Sequence, residues 1–320
     1  MIVVTGSNGF IGSTLIYEIN KSFPDEKIFC MDPVPLTKHN LLRGKKNILN
    51  VDWDDFWVAL ESHKREIHFF IHIGAISSTT EKSWKKLKEK NIVFSQKVFS
   101  WCSKNKIPLI YASSAAVYGD GSLGFSEATD FRKLRPLNLY GKSKLDIDKW
   151  VTAQKKQPPN WYGLRFFNVF GPNEDFKGPM ASMIYKSYPH IKKDKKIKLF
   201  KSYHPKYKDG EQKRDFVYVK DITRWIVEIM HKRPKSGIYN LGQGKPATWL
   251  DVATCMFDTA HIKKQIEFVD MPTNVKKQYQ YFTCANMNKW YENEMSRPKW
   301  PVKKAVNDYI VVHLAKNKLY

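Results

Sequence analysis

Residues 6–12 read Gly-Ser-Asn-Gly-Phe-Ile-Gly, directly after the apolar run Ile2-Val3-Val4-Thr5 and directly before a helical pattern from Phe10 to Asn20. A strand that turns on glycines into a helix exposes free backbone N–H groups at the positive end of the helix dipole, where a pyrophosphate binds. The spacing is G-x-x-G-x-x-G, not the G-x-G-x-x-G of many dehydrogenases. Glycines alone only punctuate turns. The strand before and the helix after are what give Gly6, Asn8, Gly9, Phe10, Ile11 and Gly12 their reading as a dinucleotide turn. Asp32 ends the next apolar run, 20 residues beyond Gly12, where a carboxylate reaches the adenosine ribose hydroxyls. On its own it favours NAD, because it repels a 2′-phosphate. Lys38 and His39 follow closely and can offset that repulsion, so these residues leave NADP and NAD both open.

The first half continues the alternation. Lys27–Asp32, Ile67–Ile73, Pro108–Ser113 and Trp161–Phe167 read as strands, and Trp84–Lys104 and Leu139–Gln154 as helices. Strands alternating with helices imply βαβ crossovers and a parallel sheet covered on both faces. At 320 residues the chain exceeds the ~250–300 at which a single core stops growing. Past Phe167 the pattern loosens into a helix at Met180–Lys192 and a basic, aromatic stretch. Phe216–Val219, Asp221–His231 and Gly237–Leu241 then read as further α/β material. The fold class expected is α/β, a Rossmann-type doubly wound parallel sheet with a smaller, interwoven substrate-binding lobe. Residues 1–167 plus about 215–242 would form the dinucleotide domain, and about 168–214 plus 243–320 the lobe.

Lys and Arg number 54 against 31 Asp and Glu, a formal charge of +23. Positive potential concentrates phosphates, so an anionic small molecule or a nucleic acid comes into view, although a solvated Lys-rich surface gives the same total. Eleven of the basic residues, against three acids, fall between Lys186 and Arg214. With 42% hydrophobic and 14% aromatic residues the chain is not a disordered one. Cys30, Cys102, Cys255 and Cys284 are widely spaced, which argues against a metal site or a disulfide framework and fits a reducing compartment. No charged-then-apolar leader opens the chain, and no apolar run approaches the ~20 residues of a membrane helix. A cytoplasmic protein without a membrane partner is expected, and no metal.

Tyr140-Gly141-Lys142-Ser143-Lys144 opens a helix, so Tyr140 and Lys144 lie one turn apart on one face. Lys144 at that distance can lower the pKa of the phenol and make it a usable acid/base. The same spacing recurs at Tyr17/Lys21 and Tyr188/Lys192, so context decides. Ser113 and Ser114 lie at the end of a parallel strand, where such sheets present their ligands. A hydroxyl there can bond the reacting oxygen alongside the tyrosine.

Glycine turn, strand-end serine and Y-x-x-x-K in this order resemble the extended short-chain dehydrogenases/reductases, most of which act on nucleotide sugars. Ser114-Ala115-Ala116-Val117-Tyr118-Gly119 lacks the acidic pair of the sugar 4,6-dehydratases, so epimerisation or oxidoreduction remains. Three stretches then look like the ADP-L-glycero-D-manno-heptose 6-epimerase subfamily: residues 74–81 (GAISSTTE), 111–116 (YASSAA) and 165–172 (RFFNVFGP). Residues 177–182 (KGPMAS), 214–219 (RDFVYV) and 279–283 (YQYFT) continue the likeness. It runs from Ile2 to about Asn286.

That resemblance implies a tightly held NADP that oxidises C6 of the heptose and returns the hydride to the opposite face, in a route toward lipopolysaccharide or another surface heptose. It implies Tyr140, Lys144 and Ser114 as catalytic groups and Lys177 as the second base. Lys177 can act so only if its pKa falls well below the usual ~10.4. Gly74, Ala75 and Ser77 match the turn under the cofactor, with Asn91, Val169, Lys38 and Lys144 also on the cofactor side. Ser78, Asn168, Pro179, Lys186, Phe200, Lys201, Ser202, Tyr203, Arg214 and Tyr279 match substrate positions, Arg214 as the bidentate grip on the diphosphate. The partner implied is an ADP-sugar, the assembly a homo-oligomer. Four features depart from the family: Pro179 replaces a serine and Lys186 a histidine, Pro33 follows Asp32, and Ile73 precedes Gly74. The stretch Tyr203–Lys213 is also longer than expected.

Two other readings compete. One is a different nucleotide-sugar epimerase or reductase, such as a 4-epimerase, which manages without Lys177. The other is a non-catalytic polyanion- or RNA-binding protein, supported only by the charge and opposed by the Ser114/Tyr140/Lys144 set; no nucleic acid partner is expected.

Overall fold

The computed structural model describes residues 1–276 and 279–320. Seven parallel strands form the central sheet: β1 (Ile2–Thr5), β2 (Ile28–Met31), β3 (Ile48–Val51), β4 (Phe69–His72), β5 (Leu109–Ser114), β6 (Trp161–Phe166) and, far along the chain, Gly237–Leu241. Their order across the sheet is β3-β2-β1-β4-β5-β6 and then Gly237–Leu241. The order reverses between β1 and β4, which opens a crevice at the carboxyl ends of the strands, where open α/β sheets bind ligands.

Alternation along the strands assigns each face its helices. Ile2, Val4, Phe69, Ile71 and Ile110 join one apolar cluster with α1 (Phe10–Ser22), while Val3, Phe70, Leu109 and Tyr111 join a second. The second is built against α2 (Phe56–Ser62) and a long helical stretch. That stretch starts as α3 (Trp84–Leu87), widens into a π-helical segment at Lys88–Val93 and resumes as α4 (Phe94–Asn105). The helix α5 (Leu139–Thr152) lies on the same face.

The remaining elements are β7 (Asn168–Phe170), α6 (Met183–Asp194), β8 (Ile197–Phe200), β9 (Lys213–Arg214), β10 (Phe216–Tyr218), α7 (Val219–Lys232), β11 (Gly237–Leu241, the last strand of the central sheet), β12 (Ala247–Thr248), α8 (Trp249–Ala260), β13 (Ile266–Val269), and the short helices α9 (Thr273–Lys276), α10 (Asn288–Glu292) and α11 (Val302–Asp308), the last running into a π-helical segment at Tyr309–Leu314. Helix α7 packs beside α1 on the first face. Three small two-stranded sheets, β7–β10 and β8–β13 parallel and β9–β12 antiparallel, sit above the carboxyl ends. A third apolar cluster gathers Phe170, Ile184, Ile197, Phe216, Met256 and Tyr309 from these segments. Thr248 and Asp251 start α8 with a reciprocal capping box.

Among the described residues no helix is long and apolar enough to cross a membrane, and no group of three or more His, Cys, Asp or Glu is placed to hold a metal.

Candidate active site

A cavity of about 1320 Å³ opens over the carboxyl ends of the central strands. One end is made of backbone. Gly6 has φ +71, and a Cβ there would lie 2.6 Å from the Gly74 backbone. The two turns therefore touch, and only glycine permits both the conformation and the approach. Gly9 caps α1 without any side-chain bond, which leaves the first amides of the helix turned to the cavity that Gly9, Phe10, Ile11 and Gly12 line. Free donors at a helix N-terminus, with no side chain in the way, fit a dinucleotide pyrophosphate.

Asn8 does not belong to that lining. Its Oδ1 accepts from Leu41 N–H at 2.9 Å, its Nδ2 donates to the His39 carbonyl at 2.8 Å, and its own carbonyl is 3.0 Å from His39 Nε2. It is the buried anchor of the loop after β2, with its polar atoms committed. Asp32 lines the cavity and accepts from the Val34 and Asn8 amides at 2.9 and 3.2 Å. Burial raises its pKa against those bonds and the His39 charge. Lys38, expected beside it, is exposed and outside the lining.

Gly74, Ala75 and Ser77 line the same end. Asn91 is fully buried behind them, bonded to both backbone groups of Ile76. Ser78 instead bonds Thr80, and Thr79 takes the cavity position. Trp53 and Lys90, stacked 4.2 Å apart, also line this end. The sequence reading passed over both, having no motif to mark them.

The catalytic set lies between the ends. Asn138 caps α5 by accepting from Gly141 N–H at 2.8 Å. A Cβ on Gly141 would come 2.7 Å from the Ala116 carbonyl, so glycine lets the helix approach the turn after β5. Tyr140 and Lys144 then face the cavity with Ser114. Strand alternation separates the two serines: Ser113 donates to buried Asp148 at 3.0 Å, while Ser114, whose Oγ accepts from the Ala116 amide at 3.2 Å, lines the cavity with the phenol. Lys144 donates to the Ala112 carbonyl at 2.9 Å, and burial pulls its pKa down to about 8. The Tyr140 pKa is raised by burial, and Ser114 is what opposes the rise. The ammonium is held on a carbonyl, 6.0 Å from the phenol ring centroid. Behind the set, Asp148 pairs with Arg165 at 2.9 Å, both side chains fully buried.

Lys177 reaches the cavity from a turn that kinks at Gly178 (φ +52), its Nζ 4.9 Å above the Phe10 ring. Burial lowers its pKa, nearby Lys186 lowers it further, and Glu174 opposes both. Glu174 is itself held by the Ser182 hydroxyl at 2.6 Å.

The other end belongs to α6, β7 and β8. Asn168, Val169, Lys186, Phe200 and Tyr279 line it. So do His190, Lys196 and Lys198, which the basic stretch signalled only collectively. Pro179 stands outside the lining and contributes its carbonyl to Lys186 Nζ at 3.2 Å. Lys201, Ser202 and Tyr203 turn away: Lys201 and Tyr203 meet Asp270 at 3.2 and 2.6 Å, and the Ser202 amide bonds Asp209 at 2.6 Å. Arg214 is buried one layer behind the wall, 4.9 Å from the ring centroid of Tyr279 and 5.9 Å from that of Trp249. Among the described residues no carboxylate pairs with it, and it donates to the Lys213 carbonyl at 2.9 Å.

A profile of the NAD dependent epimerase/dehydratase family matches residues 2–242. An ADP-L-glycero-D-manno-heptose-6-epimerase of Fusobacterium nucleatum is 37% identical, with 100% of each chain covered. The crystal structure of the Helicobacter pylori protein of the same name superposes with a TM-score of 0.78 at 25% identity, over 97% of this chain and 94% of that one. A UDP-N-acetylglucosamine 4-epimerase from Methanobrevibacter ruminantium shares the fold, at TM-score 0.83 and 22% identity over 98% of both chains. A glycine turn, a Ser-Tyr-Lys set and a cavity with room for a dinucleotide and a second ligand are what such enzymes require, and the chain belongs to the NAD dependent epimerase/dehydratase family.

Proposed function

We propose that the protein is an isomerase that interconverts ADP-D-glycero-D-manno-heptose and ADP-L-glycero-D-manno-heptose at C6. The observation that carries this reading is the end-to-end identity of 37% to an enzyme of that name, joined to a cavity lined by both Tyr140 and Lys177. A nicotinamide dinucleotide held on the Gly6–Gly12 turn and over Gly74–Ser77 supplies the chemistry when bound, taking the C6 hydride and returning it.

Tyr140 lies beside the Ser114 hydroxyl, which bonds the same oxygen of the sugar and holds it in place for proton transfer. Lys144, charged below about pH 8 and lining the same cavity, would hold the nicotinamide ribose. Once C6 is a ketone, the sugar turns its other face to the cofactor, and the proton that completes the new alcohol comes from the opposite wall. Lys177 is the group there, its pKa lowered by burial. A 4-epimerase needs no such second base.

Within this reading the cofactor is NAD. Both Asp32 oxygens already hold backbone amides at the cavity wall, so the carboxylate is fixed where a 2′-phosphate would meet it. Lys38 faces away. The segments 168–214 and 243–320 would carry the ADP-sugar, with Lys186, Lys196 and Lys198 beside its diphosphate.

Proton NMR of ADP-D-glycero-D-manno-heptose with the purified protein tests the reaction. Growth of the L-glycero epimer toward a near-equilibrium mixture is expected, and an unchanged substrate after addition of NAD and then NADP overturns it. Fluorescence titration should show NAD binding at least about tenfold tighter than NADP, the scale of a single repelled phosphate; the reverse order refutes the NAD assignment.

A further inference from the structure

Between the glycine turn and α5 runs a line of buried polar groups that the chemistry above does not use. It starts at Thr5, whose Oγ1 is 2.6 Å from Nδ1 of His72 at the end of β4. The other ring nitrogen, Nε2, is 2.9 Å from Ser95 Oγ on α4. Ser95 donates to the Asn91 carbonyl at 2.7 Å. The Asn91 amide accepts from Ile76 N–H at 2.8 Å, and it donates to the Ile76 carbonyl and to Ser143 Oγ, each at 3.0 Å. Ser143 closes the line by donating to the Tyr140 carbonyl at 2.7 Å.

Counting protons fixes every orientation. Ser143 has one hydrogen and spends it on Tyr140, so it accepts from Asn91. Ser95 gives its hydrogen to the Asn91 carbonyl, so Nε2 of His72 carries a proton. Nδ1 is then a bare lone pair, and the Thr5 hydroxyl donates to it. A single tautomer of His72 satisfies all five side chains. A second proton on the ring would face the Thr5 hydroxyl with a donor; burial and the Lys144 charge hold the His72 pKa down to about 3.

Both ends of the line are functional surfaces. The Thr5 carbonyl accepts from the amides of Ile73 and Gly74 at 3.1 and 3.0 Å, and Ile76 sits between Ala75 and Ser77 of the cofactor wall. The π-helical widening at Lys88–Val93 contains Asn91. One extra residue in the turn shifts the side chains that follow around the helix axis, a device found often at functional sites.

We propose that His72 and Asn91 are positioning residues that tie the dinucleotide turn to the helix of Tyr140, so that this hydrogen-bonded line sets the spacing between the cofactor seat and the acid/base. The inference rests on the epimerase reading for its main assay, while cofactor affinity reports on it independently of any sugar.

The test uses the full-length protein with His72→Phe, His72→Gln, Ser143→Ala and the double variant His72→Phe/Ser143→Ala. His72→Phe and Ser143→Ala should each lower kcat at saturating ADP-heptose about tenfold or more, with KM moving less than about threefold. The double variant should lose little more than the worse single one, because both cuts fall in one coupled network. Glutamine, whose amide nitrogen reaches where Nε2 does, should recover part of the loss. Losses that multiply in the double variant, or wild-type kcat in a folded Ser143→Ala protein, overturn the proposal. Ser143→Ala removes one hydroxyl, so it remains informative if His72→Phe fails to fold. Should the wild-type protein leave ADP-heptose unchanged, the epimerase reading falls alone. The line is then read from NAD titration, where both cuts should weaken binding several-fold without multiplying; unchanged affinity in both refutes it.

Discussion

The two ends of the cavity are built on opposite principles. At the cofactor end the large polar side chains are already committed: Asn8 to the loop after β2, Asp32 to two amides, Asn91 to Ile76 and Ser143. Its shape comes from backbone contacts such as Gly6 on Gly74. At the sugar end α6 and β8 present Lys186, His190, Lys196 and Lys198, joined to the protein by single contacts such as Lys186 to Pro179. A seat that holds one unvarying molecule can be rigid and neutral in its bonding. A wall that must admit, turn and release a diphosphate sugar carries exposed basic residues held by no more than surface pairings, such as Lys198 to Glu267 at 3.7 Å, and relies on field more than on fixed geometry.

The largest losses should come where the cavity between the two ends exchanges a proton. Tyr140→Phe and Lys177→Met should each reduce kcat about 10²- to 10⁴-fold, the usual size of general acid–base effects, with little change in melting temperature. Wild-type epimerisation in both variants would sink the two-base scheme.

The rigid end should show its commitment as stability. Asp148→Ala leaves the buried Arg165 guanidinium without its partner, and urea unfolding should show a loss of about 3–5 kcal/mol. Asn8→Ala strands several buried groups of the loop after β2. It should cost about 1–3 kcal/mol and weaken NAD binding in the same preparation; unaltered unfolding would mean that the loop is held by something else.

The pH profile sharpens the comparison at its middle. Burial pulls Lys144 from 10.5 down to about 8, so its charge opposes folding below pH 8, and that opposition fades as pH rises toward 10.5. Catalysis runs the other way, since the ammonium is the useful form. The rate should fall as pH rises through about 8, and Lys144→Arg, if active, should move that limb upward. The smallest effects belong to the open wall. Lys196→Gln and Lys198→Gln should raise KM only two- to fivefold or so, and should flatten its dependence on salt, as exposed charges do. A large kcat effect from either would mean the wall is built as tightly as the other end.

The same contrast governs what could be read from the sequence. Gly6–Gly12, Ser114, Tyr140 and Lys144 were legible because backbone requirements and one-turn spacings are local. Asn8 was misassigned because its partners lie some thirty residues away. β3 escaped because Leu49 and Asn50 face outward on an edge strand, which leaves no run of buried residues to see. α8 escaped because Trp249–Ala260 is apolar on most sides, so no helical stripe stands out. Lys201–Tyr203 followed the family pattern into the cavity, yet Asp209 and Asp270 hold the loop outside it. Contacts to carboxylates as far along the chain as Asp270 are settled by tertiary structure alone.

The third apolar cluster draws on residues 170–218 and 252–310, and the chain passes from β10 straight into α7 of the first cluster. The sugar-facing part is therefore no cassette. Grafting it from a relative would sever the chain at several crossings, each inside a packed core. Replacing single residues on α6 and β8, in place, leaves that frame intact and is the least disruptive way to change what the wall accepts.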